Sequence, residues 1–426
     1  MHDALLERMG CTYSVYRKKK SSFPEVVVFV PSTRIPVQSD LQRMVKGVIP
    51  RDLADKLTSL RNQIVLIAED TGGSAIAELR RALKEYLSVL IGLTKKEYGP
   101  EGLIDFKWKN LEDGRQSNWQ DSSISNTWFE VLSSVHLMAM LTLSDADSLM
   151  IPKDPSGSGF RVVSSDSKRE AIDLLLKASG YLEFCVRDVL TRIPAETKKT
   201  FPHDLQEGVL EAIAIQTLGQ GTEIQLGLAV ESQKATLSVK RRLACEQLIY
   251  FTQAYHCLSG CDINQGHGRK QIRFIKWKFL EAKAAAYYYH GLILDKGSEP
   301  SIHIGSVSCF LAAEELLAES KKACLSFCLA PPVTRAPPLW GAMKFLHQKI
   351  PEVASRKSQM YGYLWEQEKG LQSLPDLPEF QLSLRPDDYE LPEIDPAWDS
   401  KNWESLGQPL KEHLRDSDEH DENPTD

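Results

Sequence analysis

Between Leu205 and Leu329 the chain carries four long helical stretches in succession, and this pattern constrains the fold more than any other feature. They cover Leu205–Val230, Gln233–Leu258, Gln271–Leu294 and Ile302–Leu329. Each is far longer than the ~11–12 residues of an average globular helix. Ala, Gly and Ser recur in them where helices can approach closely. A chain patterned this way buries its core between consecutive helical hairpins, as tetratricopeptide-type stacks do. No 34-residue self-similarity accompanies the pattern, so a regular repeat array is not expected.

The flanking sequence extends this all-α expectation. Leu53, Leu57, Leu60, Ile64 and Ile67 recur at steps of three and four, one stripe of an amphipathic helix. Ile76, Leu79, Leu83, Leu87 and Leu90 form a second stripe after the Gly72-Gly73 break. Helical patterning resumes at Trp128–Leu143 and Ser167–Leu190, with a turn at Pro152–Pro155 between them. The apolar run Val26–Val30, between Pro24 and Pro31, predicts a short β-strand near the N-terminus. Residues 98–125 lose all periodicity and collect Gly, Asp, Asn and Ser, so a loop is expected there. Pro331, Pro332, Pro337 and Pro338 end the long helices, and one further helical stretch follows at Leu339–Gly370. From Leu374 onward Pro, Asp and Glu dominate, which predicts an extended segment that loses order at its end. Three parts result: a leader at 1–22, a helical domain at 23–395 and an acidic tail at 396–426.

Charge is spread unevenly. The net charge is −7, from 51 Lys+Arg against 58 Asp+Glu. From Pro386 to Asp426 there are 14 acidic and 3 basic side chains, which leaves 48 basic and 44 acidic in the rest. A slightly basic body with an acidic tail lacks the concentrated basic face that nucleic acid demands, so no nucleic-acid partner is expected. The basic run Arg269, Lys270, Arg273, Lys276 and Lys278 reads as a solvated helix face. The charge-free stretch Val131–Ser144 falls short of the ~18–20 residues that cross a bilayer, so no spanning segment is expected.

Catalytic and metal-binding patterns are sparse. The eight cysteines lie mostly in apolar helical stretches and read as free thiols of a reducing compartment. His256, Cys257, Cys261 and His267 crowd together, but no second ligand pair of zinc-site spacing accompanies them. Cys324 and Cys328 repeat the same four-residue spacing in core-like sequence. Gly72-Gly73-Ser74 lacks the Lys-Ser/Thr of a phosphate loop, and no Gly-x-Ser-x-Gly elbow occurs. No enzyme activity, cofactor or metal is expected.

The leader carries the sharpest local motif. Gly10-Cys11-Thr12-Tyr13-Ser14, preceded by Met9, fits the N-myristoylation pattern if translation starts at Met9. If it starts at Met1, Gly10 is internal and has no amine to acylate. Cys11 beside the acylated glycine is placed for palmitoylation, and Arg17, Lys18, Lys19 and Lys20 would favour anionic lipid. One acyl chain binds only marginally, so a second chain with basic residues supplies the two signals of stable anchoring.

The stretches Trp128–Val135, Leu218–Glu223 and Phe345–Pro351 together resemble the Bro domain (Bro-one) family of adaptors of the endosomal sorting machinery, ESCRT. Trp128-Phe129-Glu130-Val131-Leu132-Ser133-Ser134-Val135 is similar to the family's helix with a charged residue before a small–apolar run. Leu218-Gly219-Gln220-Gly221-Thr222-Glu223 resembles its Leu-Ala-Gln-Ala-Gln-Glu. Phe345-Leu346-His347-Gln348-Lys349-Ile350-Pro351 resembles its Ile-Tyr-His-x-x-Val-Pro. Order and spacing match across roughly residues 24–395. The resemblance implies a curved, boomerang-shaped helical domain with a tetratricopeptide-like core and a short N-terminal β element. It also implies a concave apolar groove for the C-terminal helix of an ESCRT-III subunit, here at Phe201, Leu210, Ile213 and Leu218, with other ESCRT subunits as further partners. Gly219 and Gly221 stand where the family prefers Ala. The function implied is non-enzymatic adaptor work in multivesicular-body sorting, cytoplasmic and peripheral on endosomal membranes. The alternative left open is a cytosolic tetratricopeptide-like scaffold for an unrelated complex.

Overall fold

The computed structural model describes residues 23–31, 33–44, 49–71, 75–95, 104–110, 122–154, 161–261, 266–368 and 374–398. Three short strands, β1 (Arg34–Pro36), β2 (Phe106–Asn110) and β3 (Ser122–Ile124), accompany twelve α-helices among these residues. The first helices are α1 (Leu41–Met44), α2 (Arg51–Thr71), α3 (Ile76–Leu90) and α4 (Thr127–Leu149). Then come α5 (Ser165–Phe184), α6 (Ala195–Lys198), α7 (Glu207–Glu231) and α8 (Leu237–Leu258). The last are α9 (Gly266–Leu294), α10 (Pro300–Leu329), α11 (Gly341–Met360) and α12 (Gly362–Glu368). The helical domain with a small sheet near its N-terminus is the fold class expected from the sequence.

The chain divides into two compact units. One comprises Arg34–Ser134, Arg192–Thr197 and Glu390–Asp426. Its sheet runs β1-β2-β3, antiparallel throughout, with Pro36 opposite Trp108 and Phe106 opposite Ile124. The stripes of α2 and α3 face inward, with Leu53, Leu57, Ile64, Leu79, Leu83 and Leu87 all buried. β2 and β3 lie in the region read as a loop. Their length explains the miss: runs of five and three residues are too short for an alternating pattern to stand out from polar neighbours.

A buried polar knot holds this unit. Arg61 and Glu130 are both sealed from solvent and meet at 2.9 Å. Glu130 Oε1 also accepts from the Tyr86 hydroxyl at 2.8 Å, and its Oε2 accepts from Trp108 Nε1. Arg61 donates onward to the carbonyls of Val37 and Lys107 and to the Ser39 hydroxyl. One carboxylate thus ties α2, α3, α4 and β2 together. Burial and the adjoining Glu130 push the Tyr86 hydroxyl well above its ordinary pKa. Trp398, 3% exposed, docks in the same unit, donating from Nε1 to the Val89 carbonyl at 2.9 Å. Its ring lies where any side chain at residue 92 would sit, so Gly92 is needed there.

The other unit comprises Met1–Thr33, Val135–Thr191 and Lys198–Tyr389. Here α5 packs on α7, and α7, α8, α9 and α10 each pack on the next, with α11 on α10. Caps fit the entries: Ser164 accepts from Ser167 N ahead of α5, Thr236 accepts from Val239 N ahead of α8, and Pro300 opens α10. α10 is long and apolar enough to cross a membrane, contrary to the expectation that no segment qualifies. Its apolarity has a packing reason, since Ile304, Val307, Phe310, Ala313 and Leu317 are buried in this unit. The strand expected at Val26–Val30 does not form. Those residues, beginning in a bend at Val26, form no strand and hydrogen-bond to helix side chains: Val28 N donates to Asp147, and Gln220 donates to the Val27 carbonyl. Backbone polar groups must be satisfied when buried, but a sheet is only one way to do it.

Asp147 gives this contact a pH dependence. Its carboxyl is fully buried, and burial, opposed by the Val28 N–H, raises its pKa from 3.8 to about 8. The folded chain therefore holds this proton more tightly than the unfolded chain. The resulting stability is fully present below pH ~4 and is lost as pH rises through ~8. Asp147→Asn should flatten the pH–stability profile across that window and raise the melting temperature at pH 8.5 relative to the parent. Thermal melts from pH 5 to 9 check this, and parallel profiles would contradict it.

Candidate functional site

α7 packs between α5 and α8, and its residue pattern suits a helix covered on several sides. Apolar and small residues circle the helix instead of forming one stripe, the mark of a helix covered on every side. α5 and α8 pack on it, and the extended segment after Leu374 reaches it. Of the side chains expected to line a partner groove, Leu210 and Ile213 are fully buried, while Phe201 and Leu218 each retain 6% exposure. Gly219 lies against Tyr250 and Phe251 of α8, and a side chain at Gly221 would meet Leu384. The two glycines thus stand at close approaches. Gly10, Cys11, Arg17, Lys18, Lys19 and Lys20 lie outside the described residues.

The segment from Leu374 to Tyr389 is held along this unit like a bound peptide. Ser383 donates to the Glu246 carboxylate through both N–H and hydroxyl, and Tyr250 donates to the Leu384 carbonyl at 2.7 Å. Asp387 N donates to the Leu176 carbonyl, and Tyr389 sits edge-on to Tyr181 and Phe184. Gly180 permits the passage: an added Cβ would lie 2.1 Å from the Asp387 carbonyl oxygen. Gly180→Ala should therefore lift the segment, cost about 1–3 kcal/mol and leave the helices intact. Faster proteolytic cutting at 380–389 with unchanged helical circular dichroism would check this.

The basic run on α9 departs from a solvated face. Arg269 and Lys276 are exposed, but Lys270 and Lys278 are buried. Lys270 donates to the Ala330 and Pro332 carbonyls and lies 4.8 Å from the Phe327 ring. Lys278 is clasped by Glu223 at 2.7 Å and Glu281 at 3.0 Å. Burial alone would lower the Lys278 pKa, but the two carboxylates outweigh it and the net shift is upward. Desolvation raises Glu223. Lys278 and Glu281 share a helix face by their three-residue spacing, which the sequence displays. Glu223 joins them from α7, which it does not.

No group of three or more His, Cys, Asp or Glu among the described residues is arranged to hold a metal ion. Cys185, Cys245, Cys309 and Cys328 are buried free thiols, and Cys257, Cys261 and Cys324 are half-buried. A cavity of about 300 Å³ lies elsewhere on this unit, between α9, α10 and the start of α11.

No protein-family model matches the chain. A BRO1 domain-containing protein, a BROX homolog of Caenorhabditis elegans, is 26% identical over 262 residues. The match covers 57% of this chain and 58% of that protein, so it spans little more than half of the relative's length. Among solved structures, a Bro1 domain studied for endosomal targeting superposes with a TM-score of 0.55 at 15% identity, covering 90% of this chain and 98% of that one. The ALIX BRO1–CHMP4C complex gives 0.59 at 13% identity, covering 88% and 98%. ALIX in complex with a late domain gives 0.58 at 13% identity, covering 91% of this chain and 53% of that chain. These structural likenesses show that the chain has the fold of a BRO1 domain, and the curated relative adds a resemblance in sequence to a BRO1 domain-containing protein.

Proposed function

We propose that this protein is a non-enzymatic adaptor of endosomal sorting that binds ESCRT components at membranes. The observation that carries the reading is the likeness of 88% of the chain to a BRO1 domain solved with CHMP4C, at a TM-score of 0.59. The partner is the C-terminal amphipathic helix of an ESCRT-III subunit, held by burial of one apolar stripe in a groove. Phe201 and Leu218, which keep some surface, form the floor of that groove; Leu210 and Ile213 support it from beneath. Acylation at Gly10 and Cys11, with Arg17–Lys20 beside them, brings the protein to the cytoplasmic face of endosomal membranes.

Calorimetric titration of the full chain with the C-terminal helix of CHMP4C tests the partner. Saturable binding that Leu218→Asp weakens at least tenfold supports the reading; no binding by the parent chain overturns it. Fractionation of Gly10→Ala and Cys11→Ser variants tests attachment. The first should be soluble and the second weakly bound, and two variants that stay on membranes like the parent would sink the lipid reading.

A further inference from the structure

One carboxylate anchors the middle of the segment from Leu374 to Tyr389. Glu246 of α8 is sealed from solvent. Arg242 Nε lies 2.6 Å from its Oε1. Ser383 reaches its Oε2 twice, through N–H at 2.8 Å and through the hydroxyl at 2.5 Å. Arg242 also donates to the Gln381 carbonyl, so the same two α8 side chains hold both Gln381 and Ser383.

Ser383 itself is exposed, although its anchor is not. The backbone around it carries neither helix nor strand from residue 374 to 395. An accessible serine on an extended segment is the form in which a protein kinase receives its acceptor.

The charges around the hydroxyl decide what a phosphate there would do. Before modification Glu246 and Arg242 offset each other. A phosphate adds about −1.5 to −2 of charge. The ester oxygen at Ser383 Oγ has no proton left to donate, so Glu246 loses that bond and faces the new charge across it. Arg242 cannot neutralise both groups. If it turned to the phosphate, Glu246 would stay sealed from solvent without a counter-charge. Arg385 is exposed two residues further along, but it belongs to the segment and leaves with it.

We propose that Ser383 is a phosphorylation site and that its phosphate releases residues 374–389 from the helices beneath. A kinase supplies the phosphoryl group from a nucleoside triphosphate. The bond from phosphorus to Ser383 Oγ forms as the bond to the departing nucleoside diphosphate breaks, and the hydroxyl proton passes to a base of the kinase. Release uncovers Tyr250 of α8, Gly180 of α5 and Gly221 of α7, where the segment now lies. The device does not depend on which partner α7 receives.

Two measurements on the full chain test this. A panel of purified serine kinases with ATP should place phosphate on Ser383, read by peptide mass spectrometry. In a chain with phosphoserine installed at 383 during translation, amide exchange over residues 380–389 should quicken at least tenfold, while α2 exchanges as in the parent. Ser383→Ala removes one hydrogen bond and adds no charge, so it should quicken that exchange less than threefold. The proposal is overturned if no kinase modifies Ser383, if phosphoserine leaves the exchange unchanged or slows it, or if Ser383→Ala has the same effect as phosphoserine.

Discussion

Glu130→Ala is expected to destabilise the unit built on Arg34–Ser134 by about 3–5 kcal/mol, the usual cost of removing one partner of a buried ion pair. The variant leaves the Arg61 guanidinium sealed from solvent with no counter-charge, and it strips the acceptor from Tyr86 and Trp108. Glu130→Gln should cost less, because an amide oxygen still accepts from one or two of those donors. Added salt should rescue neither, since the pair lies beyond the reach of mobile ions. Thermal and urea melts of the three proteins check the order parent, Gln, Ala. Equal midpoints would mean that the knot contributes nothing net.

Ile213→Asp should prevent folding of the helical unit, a larger loss still. The position is fully buried on a helix covered on every side, and a carboxylate there has no partner and no water. The protein should express insolubly or show a collapsed helical circular dichroism signal. Leu218→Asp, at 6% exposure, should fold and lose stability only in part. This pair separates a side chain sealed in the core from one that keeps some surface. A variant Ile213→Asp that melts like the parent would place residue 213 at the surface.

The long helices were legible because each repeats one periodicity over many residues. Leu53 to Ile67 and Ile76 to Leu90 became α2 and α3 with their stripes facing inward. The four stretches from Leu205 to Leu329 became α7 to α10 within a few residues at either end. β2 and β3 were not legible, since strands of five and three residues carry too few positions to establish an alternation. Val26–Val30 misled for the opposite reason: its β-type composition is real, but Asp147 and Gln220 side chains supply the hydrogen bonds a neighbouring strand would have given.

For the candidate sites the division is sharper. Three motifs in order and at matching spacing, with a β-start and long helices, carried the resemblance to BRO1 domains, because motif order along a chain is a one-dimensional property. Burial is not. Leu210 and Leu218 look alike in sequence, and the two differ only in what packs over them. Lys276 and Lys278 sit two residues apart in one basic run, yet one is solvated and the other lies between Glu223 and Glu281. The sequence by itself determined the helices and their succession, and its motifs carried the resemblance to BRO1 domains, since periodicity and motif spacing are local. Only the tertiary structure decided which charges pair, which leucines reach solvent and where a cavity opens, because each depends on residues brought together from distant parts of the chain.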